Sequence, residues 1–231
     1  MIPSFIDHIL VLLLGLILPF LSGLRGIGQL QEIRFDEHTR KRFYISNGLV
    51  LWVMAAVVVG IWLWNERPLA GMGFRPAEGN PATYALTTAM VLLYLADILL
   101  SVHSPKYRQE STEPWDTNLP FLPEHPRELP AYAFLCLSAG ICEEILYRGF
   151  LVTFFIDPMK PGFPFLAAIV PALLFALAHF YQGYRAMVKI FILSLFFALV
   201  FLFSKSLLIV MAVHVLIDLA GGILAMKMRG K

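Results

Sequence analysis

Seven apolar runs, each about twenty residues long, alternate with short polar segments along the chain. They cover residues 2–24, 45–64, 82–100, 131–156, 163–180, 186–203 and 206–226. A helix needs about 20 apolar residues to cross a bilayer. The runs lack the apolar–polar alternation of barrel strands, so each predicts a membrane-spanning helix. Only Ser204 and Lys205 separate the last two, the second of which opens on Ser206, and this predicts a tight hairpin. Residues 26–44 are polar and basic with Ile27, Leu30, Ile33 and Phe35 interspersed, a pattern that fits either a surface-lying amphipathic helix or a solvated loop. Residues 101–130 hold six prolines and so form an ordered loop, not a long helix, leading into the fourth run. Asp97 and His103 near its start read as interfacial, solvated groups. Trp62 and Trp64 fit an interfacial belt, and Phe150, Phe154 and Phe155 fit packing positions.

Composition supports this pattern. Charged residues make up 15% of the 231, against about 25% in soluble domains, and mean hydropathy is +0.73. The expected fold is therefore all-α: a polytopic transmembrane helix bundle of about seven spans in one integral membrane domain, with N-terminal helices and a loop over 1–128 and a helical core over 129–226. A net charge of +2 without a basic cluster gives no footing for nucleic acid. Cys136 and Cys142 lie six apart on one run and face different ways, so no disulfide joins them. The first run lacks a basic leader and reads as a retained span. Thirteen lysines and arginines fall on one side of the predicted topology and four on the other. The positive-inside rule then puts the N-terminus outside and the C-terminus in the cytoplasm.

The fourth run carries the charges that do not belong in lipid: Glu143, Glu144 and Arg148. Each costs about 2.5 kcal/mol or more at membrane depth. Glu144 and Arg148 are four apart, the spacing at which helical side chains meet. Glu143 is rotated about 100° away and is left facing a cavity, the place of a general base. A buried network that only fixes helix packing is the alternative. The fifth run ends in Phe175 and His179, and the seventh holds His214 and Asp218, again four apart. Three helices presenting ionisable groups of complementary type point to one shared site.

These residues resemble a family. Glu143-Glu144-x-x-x-Arg148, Phe175-x-x-x-His179 and His214-x-x-x-Asp218 look like the three ordered motifs of the CAAX protease and bacteriocin-processing (CPBP, or ABI) intramembrane endopeptidases, over about residues 129–221. That family includes the eukaryotic Ras-converting CAAX protease and bacterial proteins of the lysostaphin-resistance type. The resemblance implies peptide-bond hydrolysis within the membrane. Glu143 and His179 would activate a water, Glu144 and Arg148 would support them, and His214 with Asp218 would bind the oxyanion. Many members have asparagine at the last position. An ionised aspartate accepts but cannot donate, so Asp218 either carries a proton or orients His214.

Glu143, His179 and His214 also make up a set known for catalytic zinc, so a zinc metalloendopeptidase stands beside a metal-free, glutamate-dependent scheme. The implied partners are the lipid bilayer and a membrane-anchored protein or peptide substrate, prenylated or not, and the implied location is a bacterial inner membrane. Two other functions fit buried acids and histidines. One is a non-catalytic immunity or scaffold membrane protein; the other is a proton-coupled transporter, although no inverted repeat is evident.

Overall fold

The structure, a computed structural model, describes residues 3–21, 32–104, 106, 109, 118–156 and 164–229. Seven helices follow the seven apolar runs: α1 Phe5–Leu21, α2 Glu37–Trp64, α3 Pro81–His103, α4 Pro126–Ile156, α5 Pro164–Ala178, α6 Tyr184–Ser204 and α7 Leu207–Arg229. No strand occurs among the described residues. α2, α3, α4, α6 and α7 are long and apolar enough to cross a membrane, while α1 and α5 are shorter apolar helices.

Local sequence sets the helix starts. The side chain of Ser4 accepts from the Asp7 amide in a capping box that opens α1. Asp36 caps α2 by accepting from the Thr39 amide at 2.7 Å, and that bond holds its carboxyl below the usual carboxylate range. Asn80 caps α3 in the same way, with Pro81 at the first helical position. The cap at Asp36 starts α2 two turns before its apolar run, so residues 37–44, expected in a surface helix or loop, continue the span. The first part of that expected segment, residues 26–31, lies outside the described residues, as does much of the proline-rich loop.

α4 is the hub. It packs against α2 on one side and α7 on the other, and its later part meets α5, which runs beside α6; α6 in turn lies along α3. From Ile145 to Val152 the chain is π-helical, and all eight residues are buried. Lipid tails are as apolar as leucine, so helices in a bilayer associate through close packing and polar contacts. Small residues provide that closeness here. A Cβ on Gly48 of α2 would sit 2.5 Å from the Phe134 ring, and one on Gly140 of α4 would sit 2.5 Å from Val215 and 2.9 Å from its backbone nitrogen. Between α2 and α4, the Trp52 indole donates to the Ser138 hydroxyl, which donates to the Phe134 carbonyl.

Polar contacts gather at the two ends of the bundle. At one end Arg67 donates twice to Asp7, at 2.9 and 2.6 Å. Nearby, the Ser204 carbonyl accepts from the Glu78 amide, and the Gly73 carbonyl accepts from the Leu207 amide. Lys205, left-handed at φ 57°, turns the tight hairpin between α6 and α7. At the other end Arg40 pairs with Glu124 and Glu128, and Tyr44 donates to the Phe121 carbonyl. Asp97, expected to be merely solvated, accepts from Lys189 at 2.7 Å and so joins α3 to α6. Cys136 and Cys142 are both free and buried.

The α4–α7 contact has a direct test. Gly140→Val forces a side chain into the backbone of Val215 and should destabilise the fold by about 1–3 kcal/mol. Thermal unfolding in detergent should show a lowered Tm, whereas Gly60→Val, where nothing lies within 4 Å of an added Cβ, should leave it unchanged.

Candidate active site

Glu143 and Glu144 close the regular part of α4, just before its π-helical stretch, and Arg148 lies one turn into that stretch. α7 supplies His214 and Asp218, and His179 is the first residue beyond α5. Glu144 is 0% exposed. Its Oε1 accepts from Arg148 Nη1 at 3.0 Å and lies 2.7 Å from His214 Nδ1. Arg148, 1% exposed, donates through Nη2 to the carbonyl and the hydroxyl of Ser194 on α6, at 2.9 and 2.7 Å. The rings of Phe175 and Phe197 flank its guanidinium at 5.1 and 5.3 Å. Charge-assisted hydrogen bonds and ring faces thus replace the hydration that the pair gives up. One atom stays out of this network: Oε2 of Glu144 is buried without a hydrogen-bond partner.

Glu143 is placed differently. One step along the helix turns it away from Arg148, and its side chain is 16% exposed. Its closest charged approach among the described residues is His214 Nε2, 3.9 Å from Oε2. The same Nε2 lies 3.5 Å from Asp218 Oδ2, and that side chain is 34% exposed. Both separations exceed a hydrogen bond. His214 therefore uses one nitrogen on Glu144 and turns the other toward two more open carboxylates. Phe197 stacks on its ring at 5.2 Å and keeps the imidazole from tilting.

His179 is held by its own helix. Its Nδ1 lies 2.8 Å from the Phe175 carbonyl, which can only accept, so this nitrogen carries a proton, and in the neutral ring Nε2 keeps its lone pair. The Phe175 ring borders both imidazoles, 4.6 Å from His179 and 6.3 Å from His214. Tyr181 stacks on His179 at 6.2 Å. No hydrogen bond joins His179 to Glu143, His214 or Asp218 among the described residues.

The structure thus brings Glu143, Glu144, Arg148, His214 and Asp218 into one cluster, with His179 across a shared phenyl ring. Glu144 meets Arg148 as their spacing implies. The group that orients His214 at short range is Glu144, whereas Asp218 stands at the imidazole's other edge. Ser194 and Phe197 were not anticipated. Ser194 is the only hydroxyl residue in the run 186–203, the one sequence signal that could have pointed to it. The Glu144–His214 bond joins residues 70 positions apart and leaves no trace in local spacing. No three His, Cys, Asp or Glu side chains among the described residues are placed to hold one metal ion. In both imidazoles of the set Glu143, His179 and His214, Nδ1 is engaged, by the Phe175 carbonyl in His179 and by Glu144 in His214, and Nε2 is the nitrogen left for a ligand.

Residues 125–220 match the family model described as type II CAAX prenyl endopeptidase, Rce1-like. Neither a curated protein nor a solved structure matches the chain. The matched stretch runs from the turn before α4 to the middle of α7 and takes in all three paired motifs. In residues 125–220 this helical membrane protein carries a domain of the Rce1-like type II CAAX prenyl endopeptidases, a family of intramembrane endopeptidases.

Proposed function

We propose that the chain hydrolyses a peptide bond of a membrane-associated protein or peptide, with Glu143 activating the attacking water. The unequal placement of two adjacent carboxylates carries this reading. Glu144 is fully enclosed and committed to Arg148 and His214, while Glu143 is partly exposed and has no hydrogen-bond partner among the described residues. A packing network would engage both; a general base needs one of them unspent.

Glu143 takes a proton from water, and the resulting hydroxide attacks the peptide carbonyl carbon. Nε2 of His179, the nitrogen not used by the Phe175 carbonyl, is free to hold the same water. The carbonyl oxygen becomes an oxyanion; Nδ1 of His214 donates to Glu144, so Nε2 donates to the oxyanion from the imidazolium form of the ring. Asp218 flanks that edge of the ring and keeps it electrostatically poised. Collapse of the tetrahedral intermediate breaks the C–N bond, and the proton held by Glu143 passes to the leaving amine. Arg148, Ser194 and Phe197 hold Glu144 and His214 in register. Such positioning is worth orders of magnitude in rate, because a displacement of about 1 Å can cost 10²-fold.

The excess of lysine and arginine at one end supports an N-terminus outside and a cytoplasmic C-terminus, in an inner membrane if the cell is bacterial. The Arg40–Glu124–Glu128 cluster then lies on the cytoplasmic side, and the Asp7–Arg67 pair lies outside.

Two substitutions separate catalysis from packing. Glu143→Gln, which removes the base but keeps the shape, should lower cleavage of a membrane-peptide substrate by about 10²–10⁴-fold with the Tm unchanged. Wild-type cleavage by that variant would sink the assignment. Arg148→Met leaves the Glu144 charge buried and should destabilise the protein by about 3–5 kcal/mol; the Arg148→Met/Glu144→Leu double variant should recover part of that loss in the same denaturation assay.

A further inference from the structure

Two consecutive carbonyls in the middle of α7 each accept a phenol hydroxyl from a different helix. Tyr94 on α3 donates to the Ile217 carbonyl at 2.8 Å, and Tyr132 on α4 donates to the Asp218 carbonyl at 3.1 Å. Both carbonyls lie within a continuous helix, so each already serves the amide four residues on, at Gly221 and Gly222. A carbonyl oxygen has a second lone pair, but side chains normally cover it. Here the sequence leaves it bare. A Cβ on Gly222 would come within 2.1 Å of the Tyr132 ring, and one on Gly221 within 3.3 Å of the Tyr94 hydroxyl. The glycine pair is the opening through which both phenols reach the backbone.

Consecutive carbonyls point about 100° apart around the axis. Two donors approaching from two helices therefore fix both the roll of α7 and its height against α3 and α4. The residues carried at that level are Asp218, whose own carbonyl is one of the two, and His214 one turn earlier. Their reach is finely set, with His214 Nε2 at 3.5 Å from Asp218 and 3.9 Å from Glu143. A roll of α7 by a few degrees would alter each distance by tenths of an ångström. Tyr132 is buried and Tyr94 half-buried, and a phenol packed between helices has a strong demand for an acceptor.

We infer that Tyr94 and Tyr132 are positioning residues, which act through the Gly221–Gly222 opening to set the roll of α7 and with it the reach of His214 and Asp218 toward Glu143. This inference rests on the endopeptidase reading for its kinetic readout and on the geometry of His214 for its other one.

The test uses Tyr94→Phe, Tyr132→Phe and the double variant of the full chain in lipid nanodiscs. Each change removes one oxygen and keeps the ring. The readouts are kcat and KM for a membrane-peptide substrate, Tm, and the ¹⁵N imidazole resonances of His214. The expected result is a kcat lowered about tenfold in each single variant and more in the double, with KM within about twofold and shifted His214 resonances in protein that remains folded. Tyr84→Phe, a strongly exposed tyrosine on the same helix as Tyr94, should behave as wild type. An unchanged kcat together with unmoved His214 resonances in the double variant would overturn the inference, as would a loss of kcat that only follows loss of folded protein. If the wild type cleaves nothing yet the resonances move in the variants, the endopeptidase reading fails and the positioning role stands.

Discussion

A carboxylate with no access to water, held between a guanidinium and an imidazole at membrane depth, is the contact on which the arrangement depends. Glu144 Oε1 receives Arg148 from its own helix and faces His214 from α7, and Arg148 passes the constraint on to Ser194 of α6. Three helices are thereby tied at one point. Breaking such a pair inside a low-dielectric interior strands a charge, so the contact resists partial loosening and the helices around it move as a unit or not at all. The shape complementarity at Gly140 and Val215 brings α4 and α7 close enough for the bond to form.

The same contact accounts for the asymmetry of the neighbouring acid. Helical geometry forbids two adjacent residues from sharing a direction, so once Glu144 is turned into the bundle Glu143 must face elsewhere. It faces the side where His214 Nε2 and Asp218 also open. The burial of one carboxylate is what frees the other. Phe175 and Phe197 complete the enclosure, lying against Arg148 and the imidazoles on their apolar faces.

Much of this was legible in the sequence, because bilayer burial leaves a coarse and strong pattern. The seven apolar helices α1–α7 fall on the seven apolar runs, and the pairing of Glu144 with Arg148 follows from spacing on one helix. What spacing could not carry lies between helices. Nothing near Glu144 announces His214, and nothing near Tyr132 announces the carbonyl of Asp218. The start of α2 was missed because its first two turns are polar, so hydropathy places the boundary at residue 45 while the Asp36 cap places it at 37. The sequence motifs put Asp218 beside His214, and the structure shows Glu144 at the nearer nitrogen; a four-residue spacing says that two side chains can meet, not which of several acids will.

Over its described residues, Pro164–Ala178, α5 is 15 residues long, with Pro171 in its interior. At about 1.5 Å per residue it spans about 22 Å, short of the roughly 30 Å of hydrocarbon in a typical bilayer. Lipids beside it have to shorten or tilt to meet its ends, at a cost of fractions of a kcal/mol per Å. His179 stands at one of those ends, where thinning of the bilayer would bring the aqueous phase toward it. Access for the hydrolytic water would then depend on acyl-chain length around α5, and thickening the surrounding lipid would close that route without touching a single side chain.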